Sequence, residues 1–126
     1  MNATSDGQVW VEPVGGLIIA RLRGLPTETL LRECQDRVLR IARDDRDAEL
    51  HRVLYDTLEM ESPQVDVPLA QRDLDQSLGD VKLRRAIVVP NTRLAYLARL
   101  AFGEGDYRVF YNDIAAAISW LAPKGS

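Results

Sequence analysis

Polar and apolar positions alternate from Gln8 to Glu12, with Val9 and Val11 on one side and Trp10 on the other. After Pro13-Val14-Gly15-Gly16 comes Leu17-Ile18-Ile19-Ala20-Arg21-Leu22-Arg23. Two β-rich runs joined by a Pro/Gly turn predict a hairpin, and the apolar second run predicts a strand covered on both faces. Gly24-Leu25-Pro26 ends it. Thr27 is placed to cap a helix in which Leu31, Cys34, Val38 and Ile41 form one stripe. Glu28/Arg32, Glu33/Arg37 and Asp36/Arg40 are pairs four apart in the favourable order. The charged cluster Asp44 to Asp47 ends that helix. His51 to Asp56 reads as a short strand, and Thr57 to Val65 shows no consistent period. A helix capped by Asp66 is predicted next, its face marked by Leu69 or Ala70, Leu74 and Leu78, with Gly79 at its end. Ala86 to Val89 predicts a buried strand and Asn91 the cap of a helix with Leu94, Leu97, Ala98, Ala101 and Phe102 on one face. Tyr107 to Tyr111 is a last strand. Asn112 or Asp113 opens a last helix with Ile114, Ala117, Ile118 and Leu121 facing inward.

The order ββαβαβαβα calls for a mainly parallel sheet, and no linker or repeat divides the chain, so a single domain over 1–126 with a core of about 8–122 is expected. The length of 126 residues and the 46% hydrophobic and 28% charged content suit a globular domain. A net charge of -3 is the opposite balance from that of a basic nucleic-acid module, so no nucleic-acid partner is expected. One cysteine and one histidine preclude an intramolecular disulfide and a His-rich metal site; no metal and no cofactor is expected. The polar start lacks the basic and apolar regions of a signal peptide, and the longest apolar runs are too short to span a bilayer. A cytoplasmic protein without a transmembrane segment is the expectation.

The second half carries a family resemblance. Arg85-Ala86-Ile87-Val88-Val89 followed by the Leu94 to Leu100 helix, and Tyr107-Arg108-Val109-Phe110 leading into Ala117-Ile118-Ser119-Trp120-Leu121, resemble the SpoIIAA-like family, also called STAS/SEC14-type proteins. The resemblance spans about residues 8 to 122. It implies an α/β fold: a SpoIIAA-like (STAS-type) sheet of about five mostly parallel strands, with an N-terminal hairpin and four helices. It also implies a likeness to anti-sigma-factor antagonists, which switch partners through phosphorylation of a Ser or Thr. Their Asp-Ser-Ser/Thr-Gly signature is replaced here by Asp56-Thr57-Leu58-Glu59-Met60-Glu61-Ser62-Pro63. Thr57 and Ser62 are the candidate phosphoacceptors, although Glu59 and Glu61 would repel an added phosphate.

In an open parallel sheet, ligands favour the crevice beyond the carboxyl ends of the strands. That rim is expected to hold Tyr55, Asp56 and Thr57, then Pro90, Asn91 and Thr92, then Tyr111 and Asn112. Asn91 and Asn112 also read as plain helix caps, and Asp56 as a strand end or turn residue. Asp56 with Glu59 or Glu61 lacks a nearby His or Lys and reads as an exposed acidic loop rather than an acid/base pair. Cys34 reads as a small core residue, and Trp120 as a core or groove-edge residue.

Leu58, Met60, Val65, Val67 and Leu69 are expected in an irregular segment that either covers the sheet or forms a lid over an apolar pocket or docking surface. The function expected is therefore a non-catalytic binding or regulatory domain. It would engage a protein partner or a small apolar ligand through Tyr55, Asp56, Thr57, Leu58, Met60, Leu69, Asn91, Thr92 and Tyr111. A fatty-acyl or isoprenoid ligand would fit the SEC14 analogy. The alternative is a phosphorylation-controlled antagonist of an anti-sigma factor. Trp10 on an edge strand raises the expectation of a homodimer.

Overall fold

The computed structural model describes residues 7–45, 50–68, 81–103 and 106–123. Five strands, β1 (Gln8–Val14), β2 (Leu17–Gly24), β3 (His51–Met60), β4 (Leu83–Val89) and β5 (Tyr107–Tyr111), form one sheet in the order β1-β2-β3-β4-β5. Only β1 runs antiparallel to its neighbour. Gly15 and Gly16, both at positive φ (54° and 85°), make the two-residue turn between β1 and β2, a backbone twist that matches the strands.

Three helices lie among the described residues: α1 (Glu28–Asp44), α2 (Thr92–Phe102) and α3 (Ile114–Leu121). Each begins on a side-chain cap. Thr27 Oγ accepts from the Leu30 N–H at 3.1 Å, Asn91 Oδ1 from Leu94 N–H at 2.9 Å, and Asp113 Oδ1 from Ala116 N–H at 2.9 Å. Of the three charge pairs expected along α1, Glu33 and Arg37 meet at 3.2 Å. Helical backbone also begins at Asp66, so this residue stands inside a helical turn rather than before it. The rest of that expected helix, with Leu69, Leu74, Leu78 and Gly79, lies outside the described residues.

Because β2 to β5 follow one another as parallel neighbours, crossovers of one hand bring their connecting helices to the same face. The burial agrees. Val9, Ile18, Leu22, Val53, Ile87 and Val89 of the sheet pack with Cys34 and Val38 of α1 and with Leu94 and Leu97 of α2. Among the described residues, α3 alone covers the opposite face, where Ala117 and Leu121 meet Leu54, Ala86 and Val88. The β1–β2 end of that second face stays open, with Trp10 46% exposed and Arg21 and Arg23 exposed beside it. The expectation that β2 is covered on both faces is thus corrected: Ile18, Ala20 and Leu22 are buried, while Leu17 and Ile19 are only half covered.

Two further expectations change. The buried face of α1 keeps Cys34 and Val38 of the expected stripe but adds Gln35, Leu39 and Ala42, a rotation of roughly 50° that leaves Leu31 and Ile41 half-buried. In α3, Ile118 points outward and is 41% exposed, while Ala117 and Leu121 anchor the helix.

β3 continues to Met60 instead of stopping at Asp56, so Thr57, Leu58 and Met60 are strand residues rather than part of an irregular segment. The physical reason is a bulge. Arg21 pairs with Asp56 and Arg23 with Glu59, so β3 carries one residue more than β2 across that interval. The extra residue breaks the alternation that would have marked the strand. Asp56 holds the bulge: its Oδ1 accepts the Leu58 N–H at 3.1 Å, and its Oδ2 faces Arg21 Nε at 3.5 Å.

Candidate functional site

The bulge coincides with a parting of strands. β3 pairs with β4 only as far as Asp56 opposite Val88, while it stays with β2 to Met60 opposite Gly24. At the point of separation Thr57 Oγ donates to the Val88 carbonyl at 2.7 Å, replacing a ladder bond with a side-chain one. A pocket of about 80 Å³ lies on the α1/α2 face beside this junction.

Its floor is Leu22 of β2, Tyr55 and Thr57 of β3, and Ile87 and Val89 of β4. Leu31, Cys34 and Gln35 of α1 form one wall, and Leu94, Leu97 and Ala98 of α2 the other. Met60, Pro63 and Pro68 complete the lining beyond the bulge. Phe102 stands at the α2 end, its ring 5.4 Å from that of Tyr55 and 5.7 Å from that of Tyr107, and the buried Arg85 guanidinium lies 4.6 Å over it.

The described lining residues include no Asp, Glu, His, Lys or Arg. Burial pushes the Cys34 thiol up from 9.0 to about 12, with Arg37 lowering and Glu33 raising it to a lesser degree. This thiol is held as a neutral, weakly polar wall atom. Gln35 is the exception to the apolar character. It is 4% exposed, and among the described residues neither Oε1 nor Nε2 has a hydrogen-bond partner. Two unsatisfied polar atoms in a low-dielectric site cost about 1–3 kcal/mol each.

The residues singled out from the sequence are divided by this geometry. Tyr55, Thr57 and Met60 line the pocket together. Asp56 turns away to the bulge and Arg21, and Leu58 packs on the α3 face beside Leu54 and Ala86. Leu69 lies outside the described residues. Asn91 acts as the α2 cap and Thr92 opens that helix on the surface. Asn112 Nδ2 donates to the Pro90 carbonyl at 3.3 Å, and Tyr111 is 46% exposed. Glu59 bonds Arg23 at 3.0 Å on the open face. Thr57 is 5% exposed with its hydroxyl committed, a poor setting for a phosphoacceptor, whereas Ser62 is exposed.

Gln35 was not among the expected site residues. Its signal was present: it falls four residues after Leu31 and three before Val38, a polar residue inside the apolar arc of a helix. Ile87, Leu94 and Leu97 read as core from the sequence, and the pocket is indeed a gap within the core they form.

No family model matches the sequence, and no curated protein matches it. Solved structures do. The chain is similar to an uncharacterised protein of the DUF3478 family with a SpoIIAA-like fold from Shewanella loihica PV-4. That likeness has a TM-score of 0.66 at 17% identity and covers 97% of this chain and 98% of the other. It is also similar to an anti-sigma factor antagonist from Mycobacterium paratuberculosis, with a TM-score of 0.63 at 11% identity over 96% and 98% of the two chains. Sheet order, the single antiparallel edge and these likenesses together establish a SpoIIAA-like α/β fold.

Proposed function

We propose that this protein is a non-catalytic, cytoplasmic binding domain that takes a small, largely apolar ligand between α1, α2 and the sheet. The observation that carries the reading is the pocket itself, an apolar gap beside the β3 bulge within the larger core cluster. A well-packed domain of this size gains stability by closing such a gap, so one that persists has a use as its simplest account. Acid/base or nucleophilic work is a poor match for the lining: the thiol of Cys34 is neutral, and the hydroxyl of Thr57 is engaged with Val88. The free, buried Cys34 fits a reducing compartment.

The size bears on the ligand. A cavity of about 80 Å³ is well below the ~150 Å³ that admits benzene in an engineered core. A ligand of a few carbons therefore fits better than a fatty-acyl or isoprenoid chain. Xenon is a suitable apolar probe. Under xenon pressure, the methyl resonances of Leu94, Leu97 and Ala98 should shift together while those of Leu54 and Leu121 on the other face stay put. No shift at the pocket methyls would overturn the reading.

A second reading, a phosphorylation-controlled antagonist of an anti-sigma factor, is favoured by the exposed Ser62 just beyond β3 and by the fold. Addition of one phosphoryl group to Ser62 by a cognate kinase, with loss of a protein partner, would support it. Such a switch would act through the surface at Ser62 and not through the pocket.

A further inference from the structure

We propose that Arg37 guards the outer edge of β1 and closes it to strand pairing with a second copy of the chain. Among the described residues β1 has one neighbour, β2, and its central run Val9-Trp10-Val11 is uncharged and strongly β-favouring. Such an edge invites another strand unless something obstructs it. The hairpin turn fixes which backbone groups face outward. Val14 and Leu17 flank the two-residue turn as a hydrogen-bonded pair, and bonded and non-bonded pairs alternate along an antiparallel ladder. Trp10 and Glu12 therefore bond inward to β2, while Val9, Val11 and Pro13 turn their backbone groups outward.

The outward carbonyl of Val9 is already taken: Arg37 Nη1 donates to it at 3.3 Å. Through Nη2 the same guanidinium faces Glu33 at 3.2 Å, one turn back on α1, so the side chain is braced across the edge. Pro13 has no N–H to offer. Among the described residues Val11 alone of the three keeps both backbone groups unengaged. Arg37 stands beside it too, sharing with Trp10, Val11 and Glu12 the lining of a surface hollow of about 300 Å³. The two-fold registers open to a second copy show why one arginine matters. A pair centred on Trp10 needs the Val11 N–H of one copy to reach the Val9 carbonyl of the other. A pair centred on Val9 calls on the same carbonyl. A pair centred on Val11 sets Val9 against Pro13, which lacks the donor. Arg37 therefore obstructs the first two registers and Pro13 the third.

The test uses the full chain and Arg37→Met, which keeps an aliphatic stem and a good helix former while removing the donor. Sedimentation equilibrium and amide hydrogen exchange are followed from micromolar to millimolar protein. In R37M, dimers should form as the concentration rises, with exchange at the Val9 and Val11 amides slowed at least about tenfold. In the native chain those two amides should exchange at one rate at every concentration. Arg40→Met removes an equal charge from an exposed site on the same helix and should behave as the native chain does. Concentration-dependent protection of Val9 and Val11 in the native chain, its absence in R37M, or the same protection in R40M would overturn the proposal. Arg37→Gln, whose shorter side chain stops short of Val9, takes the place of R37M if that variant does not fold.

Discussion

The Thr57 hydroxyl donates to the Val88 carbonyl at 2.7 Å at the place where β3 leaves β4. The bond is buried, and it lies one residue past the last paired position of that ladder. Asp56, the preceding residue, uses its carboxylate to hold the bulge that lets β3 turn onward with β2 alone. Two adjacent polar side chains thus manage a strand separation, and the apolar pocket opens beside it.

Removing the Thr57 hydroxyl at constant shape isolates the bond. Thr57→Val leaves the Val88 carbonyl buried without its donor, and we expect a loss of about 1–3 kcal/mol. Thr57→Ser keeps the donor, deletes one methyl and should cost about 1 kcal/mol. Urea unfolding checks the order: the midpoint should fall further for Val than for Ser with the slope unchanged.

Cys34 gives the fold a pH dependence at the alkaline end. Its thiol has a folded pKa raised from 9.0 to about 12 by burial. Between those values the folded chain keeps a proton that the unfolded chain has lost. Its contribution to stability is therefore whole below the unfolded value and is lost as pH rises toward the folded one. For one group the slope approaches about 1.4 kcal/mol per pH unit. The difference in stability between the native chain and Cys34→Ala should shrink by that slope above about pH 9. A thiol reagent applied at about pH 8 should label the folded protein far more slowly than the unfolded one.

Gln35→Met should stabilise the ligand-free protein. The substitution keeps the volume and removes two buried polar atoms that lack partners. We expect a gain of about 1–3 kcal/mol in unfolding free energy, measured by urea titration.

Burial, not side-chain size, should rank the apolar substitutions on the second face. Leu121 is fully buried and anchors the eight-residue α3, so Leu121→Ala should cost about 2–5 kcal/mol. Trp10 is larger but 46% exposed on the edge strand, with Arg23 5.4 Å over its ring. Trp10→Ala should cost about 1 kcal/mol or less in a monomer. A greater, concentration-dependent loss would reveal that a second copy covers this face.

Much of the architecture was legible because it depends on local rules. Thr27 and Asn91 cap helices because short side chains with an oxygen acceptor satisfy free N–H groups wherever a helix starts. Gly15-Gly16 makes a tight hairpin because both positions need positive φ. Alternation placed Val9 and Val11 opposite Trp10, and runs such as Ala86 to Val89 marked a strand buried on both faces. Where a single inserted residue disrupts the period, the reading failed. Thr57 to Met60 carries no legible pattern until pairing with β2 shows where the bulge lies.

The sequence by itself determined the order of elements, their caps and turns, and which residues favour the interior, because these follow from neighbours a few positions apart. Only the tertiary structure decided which face each helix covers and therefore what remains open. Consecutive parallel strands send α1 and α2 to one face, and among the described residues α3 alone packs on the other, so β2 is half bare despite its apolar run. The site belongs to this second level. Gln35, Thr57 and Leu94 are far apart in the chain and meet only because α1, β3 and α2 converge beside the bulge. A polar residue within a helical stripe can be seen in sequence, but whether its amide finds a partner depends on the packing of three elements around it.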